Sequence, residues 1–484
     1  MSTPTLIMKF GGTSVGSAEA ISQVVEITRQ ARADFDHVVL VASAMSGVTN
    51  LLLKGASAAV AGDMQTVYQA AAEMRAKHYT AAAALIPNPG FGVQLQTEIE
   101  RLAASFVSLC QAIGVLGEAT PRALDAVASL GERMSVRLLA AALDANGIPA
   151  KYVEATQLIV TDENYQAAHP DFDATTARTR QVLPPLLERG VIPVVTGFLA
   201  ATPDGVTTTL GRGGSDYSAA ILGAALPAGE VWIWTDVDGV MTADPRIVPE
   251  ARTIPALTFR EVGELAYFGA RVLHPKTIRP VIEAGIGLRV CNTFNPEHPG
   301  TRILSNSEAA NVGAGIIKAV TAIRGQRLVT IEGRGMLGVP GVAARTFQAV
   351  AKTGTSVILI TQASSEQSIC FSIPAGATAQ VISALEHTFA AELAQRDIDR
   401  IWATGETVTV TVVGAGMRYT PGVAGRIFTT LGDNGVNVIA IAQGSSEAAI
   451  SMVMDAADME VAVRALHGLI TTDSRNPSKM CKEK

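Results

Sequence analysis

Along roughly the first 300 residues, short β-rich apolar runs alternate with longer Ala/Leu-rich stretches of helical period. Thr5–Phe10 predicts a strand, followed by glycines and a helix from about Ser17 that carries Ile21, Val24 and Thr28 on one face. His37–Ser43 is a continuous apolar run, the pattern of a strand buried on both faces. Val191–Thr196, Val231–Thr235 and Leu288–Cys291 repeat that pattern, with helical segments such as Arg122–Ala145 between them. The alternation predicts an α/β fold with a mainly parallel sheet covered on both faces.

The C-terminal third repeats itself. Val329–Ile369 aligns without a gap on Val410–Ile450 at an offset of 81, with 20 identities in 41 positions. Gly335/Gly416, Pro340/Pro421, Gly354/Gly435 and Gln362/Gln443 are among the matched pairs. Each copy predicts a strand, a helix started by Pro-Gly, a glycine stop, two strands and a further helix, a small α+β module present twice.

With 484 residues, about three domains are expected, and core size sets no constraint. Hydrophobic residues at 48% and charged residues at 17% exclude a disordered chain. A net charge of −6 leaves no basic excess for a nucleic-acid footprint. Cys110, Cys291, Cys370 and Cys481 form no CxxC pair, so neither a disulfide framework nor a zinc site is expected, and a reducing cytoplasm fits. The apolar run at the N-terminus is too short for a signal peptide and Lys9 interrupts it; no uninterrupted stretch of about 18 apolar residues exists, so no membrane span is expected.

Candidate chemistry clusters at the ends of the predicted strands. In Lys9–Ser14 (KFGGTS), Gly11 and Gly12 would let the backbone approach an anion beside the Lys9 ammonium; an ordinary glycine turn reads the same. Gly12–Gly16 fits the hydrolase pattern G-x-S-x-G, but a nucleophile elbow should follow several strands, and here it follows one. P-loop and protein-kinase motifs are absent from the sequence. Thr207–Asp216 (TTTLGRGGSD) crowds Arg212, Gly213, Gly214, Ser215 and Asp216 just before a helix predicted over Tyr217–Leu226. Arg212 there offers a planar fork for a carboxylate or phosphate. An acidic turn, Trp234–Arg246, follows the Val231–Thr235 strand, and ligands of open α/β sheets sit beyond such strand ends. Ser43–Asn50 supplies small hydroxyl residues, and Glu132 sits in the apolar stripe of its helix. The seven histidines form no HExxH or paired cluster, so no metal ligands are assigned.

Taken together, KFGGTSV, SAMSGVTN, LGERMS, TTTLGRGGSD, WTDVDGV and FGARVLHP (Phe268–Pro275) resemble the aspartokinase family, in order and over residues 5 to about 467. The wording of the repeats is most similar to the kinase portion of bifunctional aspartokinase–homoserine dehydrogenases with paired ACT modules. The resemblance implies a three-layer α/β/α amino-acid-kinase domain followed by two βαββαβ ACT-like modules. It implies transfer of the ATP γ-phosphate to the β-carboxylate of L-aspartate with Mg2+, giving 4-phospho-L-aspartate, the first step towards lysine, threonine and methionine. A carboxylate nucleophile is already ionised at pH 7 and needs no general base.

By the same resemblance Lys9, Arg212 and Asp216 are catalytic, and Ser43, Thr49, Glu132, Arg212, Gly213, Gly214 and Ser215 bind aspartate. Lys9, Gly11, Gly12, Thr235, Asp236, Met241, Arg246 and Arg271 contact ATP. Met241 stands where the family often carries an aromatic and Arg271 where it usually carries lysine. Gln362 and Gln443 are implied effector contacts, with threonine favoured over lysine as the inhibitor, and the ACT-like modules imply a homo-oligomer. Alternatives are another carboxylate kinase of the superfamily, for glutamate or carbamate, and a catalytically inactive amino-acid sensor.

The expected divisions are 1–305 for the catalytic domain, 314–404 for the first module, 405–470 for the second and 471–484 for a polar, mobile tail. The second copy lacks a last strand of its own, and Ile316–Ile323 is expected to supply it, with 314–323 completing that module. No dinucleotide-binding fingerprint follows Ile470, so no dehydrogenase half is expected in this sequence.

Overall fold

The computed structural model describes residues 5–86, 89–269, 273, 275–304, 316–336, 338–362, 367–417, 420–444 and 448–473. Arg271 and the tail beyond 473 lie outside the described residues. The chain divides into two compact units. One comprises Met1–Val240, Thr253–Phe259 and Val272–Ala310; the other comprises Met241–Arg252, Arg260–Arg271 and Asn311–Lys484.

In the first unit, β1 (Leu6–Phe10), α1 (Ala18–Asp34) and β2 (Val38–Ala42) open the chain. Helices α2 (Val48–Val60), α3 (Met64–Leu85), α4 (Pro89–Leu116) and α5 (Pro121–Ala145) follow. Next come β3 (Ala150–Val153), β4 (Val160–Thr161), β5 (Pro170–Asp171), α6 (Phe172–Val182) and α7 (Pro184–Leu187). Then come β6 (Ile192–Thr196), β7 (Leu199–Ala201), β8 (Thr207–Thr209), α8 (Gly214–Ala225) and β9 (Glu230–Thr235). The last are β10 (Ala256–Thr258), α9 (Phe259–Tyr267, which runs on into the second unit), α10 (Pro275–Glu283), β11 (Gly287–Asn292) and β12 (Thr301–Leu304).

The main sheet has the order β10-β12-β11-β9-β1-β2-β6-β3, and only the β11–β12 pair is antiparallel. The mainly parallel α/β architecture expected from the alternation is therefore present. Strand β1 lies between β2 and β9, with Lys9 in register with Val41 and Ile233. The chain leaves β1 towards β2 on one side and returns to β9 on the other, so a crevice opens at the carboxyl end of β1. Leu6, Met8, Phe10, Leu40, Leu52, Phe106 and Met134 share the core on one face of this sheet.

Helix α4 is long and apolar enough over Gly92–Leu116 to cross a membrane by length and composition alone. Its Leu95, Ile99, Leu102, Phe106, Cys110 and Ile113 follow helical spacing into that core, while Gln96, Glu100, Arg101 and Ser105 lie exposed. This is the pattern of an amphipathic core helix.

In the second unit, β13 (Ala319–Glu332), α11 (Val342–Lys352), β14 (Leu359–Gln362), β15 (Ser368–Pro374) and α12 (Thr378–Thr388) form the first repeat. It ends in α13 (Ala390–Gln395) and β16 (Arg400–Ala403). The second repeat consists of β17 (Thr407–Val413), α14 (Val423–Asp433), β18 (Ala440–Ala442), β19 (Ala449–Asp455) and α15 (Met459–Asp473). One antiparallel sheet runs β14-β15-β13-β17-β19-β18, with β16 paired to β13. Strand β13 serves both copies. Ala319–Ile323 pairs with Thr409–Val413 of the second, and Gln326–Glu332 pairs with β15 of the first.

Two segments that precede residue 305 group with this unit. Ala243, Ile247 and Val248 bury their side chains in the second repeat's core with Val410, Ile427 and Leu466. Arg464 Nε donates to the Ile247 carbonyl (2.9 Å), and Thr242 Oγ1 pairs with His467 Nε2 (2.9 Å). Glu261, fully buried, pairs with Lys318 (2.8 Å) and accepts from the Ala415 amide (2.8 Å).

Candidate active site

A cleft of about 460 Å³ lies at the carboxyl ends of β1 and β2, and it gathers residues from five separate stretches of chain. Lys9 and Gly12 come from the β1 turn, Ser43–Asn50 from the loop into α2, and Glu132 from α5. Gly211–Asp216 completes it, with Phe198 beside them. Lys9, Ser43, Thr49, Glu132, Arg212, Gly213, Gly214, Ser215 and Asp216 thus line one cavity.

Two helices point their N-termini here. Helix α2 begins after Gly47 (φ 83°) and α8 after Gly213 (φ 73°), and neither has a side-chain cap. Glycine alone takes this left-handed backbone without strain, and the uncapped amides with the helix dipoles favour an anion. The start of α8 at Gly214 differs from the helix expected from Tyr217. The left-handed glycine lets the chain enter the helix early, so Ser215 and Asp216 sit in its first turn.

Lys9 is largely buried, and its ammonium pairs with Asp216 Oδ1 at 2.5 Å. That contact holds the charge at the end of β1. Glu132 is 4% exposed. Gly131 makes its position possible, because a Cβ there would come within 2.8 Å of the Ala44 side chain. The close approach lets the Ala44 amide donate to Glu132 Oε1 (3.2 Å), while buried Oε2 has no hydrogen-bond partner. Burial pushes the Glu132 carboxyl up to about 8, against the opposing pull of the Ala44 amide. Arg212 is exposed at the cleft, between the left-handed glycines Gly211 and Gly213.

The Gly11 amide is not available to a phosphate. It donates to the Trp234 carbonyl (3.1 Å), since the β1–β9 pairing runs one residue beyond the strand, and Gly12 is the glycine of this turn that lines the cleft. Ser14 is buried and tied to structure, accepting from Thr293 Oγ1 (2.7 Å) and donating to the Trp234 carbonyl (3.4 Å).

Thr235 and Asp236 stand at the carboxyl end of β9, where Thr235 donates to Asp236 (3.2 Å). Asp238 next to them accepts from Asn292 (2.8 Å) and Asn295 (3.0 Å). No motif pointed to those two asparagines. Met241 and Arg246 belong to the second unit, where Arg246 forms an exposed pair with Asp244 (2.7 Å). Phe198 was also missed. It is a non-glycine residue at φ 66°, held by its amide on Ser218 Oγ (3.0 Å), and strain of this kind collects at functional sites.

A second cavity, of about 360 Å³, lies in the first repeat and is lined by Met336, Gly338–Ala343, Gln362 and Ile369. Gln443 is exposed just beyond β18.

Among the described residues no group of three or more His, Cys, Asp or Glu could cage a metal. Of the two cleft carboxylates, Asp216 is paired with Lys9, and Glu132 accepts from the Ala44 amide through one oxygen and keeps the other without a hydrogen-bond partner.

Comparison with known proteins agrees with this geometry. Residues 4–292 match the amino acid kinase family, and residues 329–389 and 410–469 each match the ACT domain. A maize chloroplast bifunctional aspartokinase/homoserine dehydrogenase is 37% identical over 468 residues, covering 95% of this chain and 50% of the relative. The chain thus spans about half the length of the bifunctional plant relatives it matches. Aspartokinase 1 of Arabidopsis thaliana is 33% identical, covering 96% of this chain and 79% of that protein. The structure of E. coli aspartokinase III with aspartate and ADP superposes with a TM-score of 0.79 at 30% identity, covering 96% of this chain and all of that one. The same enzyme with lysine and aspartate gives 0.76 at 30%, covering 96% and 99%. With a catalytic match over more than half its length and two ACT matches behind it, the chain belongs to the aspartokinases of the amino acid kinase family.

Proposed function

We propose that this chain transfers the γ-phosphate of ATP to the β-carboxylate of L-aspartate. The observation that carries the reading is the charge pattern of the cleft. One buried carboxylate with an unpartnered oxygen, Glu132, faces the same space as Lys9, Arg212 and two helix N-termini. That arrangement complements a molecule with one ammonium and two carboxylates. Glu132 takes the ammonium, Arg212 a carboxylate, and Ser43, Thr49 and the Gly213–Ser215 turn complete the contacts.

The β-carboxylate oxygen attacks the γ-phosphorus, a new P–O bond forms, the bond to the β-phosphate oxygen breaks, and ADP leaves. No proton has to be removed from the nucleophile. Lys9, held by Asp216, offsets the charge gathering between two anions, and the Gly12 backbone faces the same phosphoryl group. Mg2+, when bound on the phosphates, adds further neutralisation. Thr235 and Asp236 stand by the nucleotide at the end of β9.

Regulation by an amino acid is part of the same proposal, with threonine favoured over lysine. The cavity beside Gln362 supports it, and Gln443 is its counterpart in the second copy. Exposed Ile360 on β14 and Ile441 on β18, at the two ends of the sheet, support a homo-oligomer built through the repeats. A reducing cytoplasmic setting suits the free thiols of Cys110, Cys291 and Cys370.

The test is a hydroxamate assay with ATP, Mg2+ and a panel of amino acids, followed by titration with threonine and lysine. Product from aspartate, lost on threonine addition, is expected; product from glutamate alone overturns the substrate assignment.

A further inference from the structure

Asp125 lies seven residues before Glu132 on α5, so both side chains leave the helix on nearly the same face. It is 1% exposed, and its two oxygens accept three hydrogen bonds. Oδ2 takes the Thr209 amide (2.9 Å) and the Gln166 amide (3.0 Å), and Oδ1 takes the Thr209 hydroxyl (2.8 Å). Three donors on one buried carboxylate make a strong anchor, and it ties two stretches of chain 41 and 84 residues away.

Both stretches bear on Arg212. Thr209 ends β8, three residues before the arginine. Gln166 holds a left-handed backbone at φ 69°, unusual for its type, and its carbonyl would lie only 2.9 Å from a Cβ placed on Gly211. The Ala168 amide donates to the Thr209 carbonyl (3.0 Å), closing the two stretches onto each other. At the other end of β8, Arg133, the residue after Glu132, donates to Thr207 Oγ1 (3.2 Å). Helix α5 therefore grips β8 at both ends while it carries Glu132 itself.

We infer that Asp125 is a positioning residue: it fixes where the Arg212 loop stands relative to the Glu132 carboxylate, and so sets affinity for the amino acid. The inference rests on the proposed roles of Glu132 and Arg212 in substrate binding. An asparagine at 125 can still accept both amides through its oxygen and donate to the Thr209 hydroxyl, whereas alanine loses all three bonds.

The test compares Asp125→Asn and Asp125→Ala in the full chain by steady-state kinetics. Asp125→Ala is expected to raise KM for aspartate about tenfold or more, leaving KM for ATP within about twofold and kcat within about threefold. Asp125→Asn is expected to recover most of that loss. An unchanged KM for aspartate in Asp125→Ala overturns the inference, as does an equal rise in both KM values. If Asp125→Ala does not fold, Thr209→Val removes one of the three bonds and should raise the aspartate KM about threefold at unchanged kcat; no rise overturns it. A wild-type protein inactive on aspartate but active on another amino acid overturns the substrate reading alone, and the same KM comparison is then made with that amino acid.

Discussion

The cleft at the end of β1 and the cleft of the first repeat share a backbone device and differ in their side chains. Each is closed by a helix that starts after a left-handed glycine without a side-chain cap, Gly213 before α8 and Gly341 (φ 90°) before α11. Either helix end can receive the carboxylate of an amino acid. The first cleft adds Lys9, Asp216, Glu132 and Arg212, whereas the second is lined by apolar residues, glycines, a proline and Gln362, with no charged side chain among the described residues. On the proposed roles, the difference teaches that a cleft for a small zwitterion would need little more than backbone and one amide. On the same reading, the buried charge of the first cleft serves to bring two anions together, and it carries a cost in desolvation.

The comparison breaks first at Lys9. Lys9→Ala is expected to lower kcat by about 10³-fold with circular dichroism unchanged, since a donor aimed at developing charge is removed. Near-normal turnover would leave the cleft at β1 without its distinguishing chemistry. Glu132→Gln should come next, raising KM for aspartate about 10²-fold with little change for ATP, because the proposed charged partner of the ammonium is lost.

A smaller effect is expected from Gln362→Ala. It should shift the half-inhibiting effector concentration about tenfold, and kcat far less. A fall in kcat with no shift in inhibition would erase the division of labour between the clefts.

The mildest test is a titration. An ordinary glutamate ionises near 4.5, and Glu132 in the free protein near 8, so the folded state keeps a proton that the unfolded chain has released. Stability contributed by this group is therefore full below about 4.5 and declines as pH rises towards 8. Aspartate binding, which on the proposed role of Glu132 needs the carboxylate, should release up to one proton near pH 7, measurable from calorimetric heats in buffers of different ionisation enthalpy. Glu132→Gln should abolish that release and lose less melting temperature than wild type between pH 6 and pH 8.

Much of this was legible in the chain. The apolar runs gave the central strands within a residue or so, because a strand buried on both faces has no room for polar interruption. Lys9, Glu132 and the Arg212 loop stood out once several blocks were read together. Less visible was anything set by distant partners. Asp125 looks like any polar residue in a helix until Thr209 and Gln166 are folded against it. The Gly11 amide looks available until β9 claims it, and Phe198 carries no mark of its φ. Trp234–Arg246 read as an acidic turn after a strand, yet Ala243, Ile247 and Val248, in it and just beyond it, complete a core far along the sequence.

Strand β13 has a practical consequence. Because its first half belongs to the copy that follows and its second half to its own, the two repeats are not interchangeable beads on a string. A chain cut between Ala403 and Thr407 would strip Ala319–Ile323 of its neighbour and leave a naked β edge open to aggregation. Engineers wishing to exchange one sensor for another would have to transplant both together, with the shared beam between them.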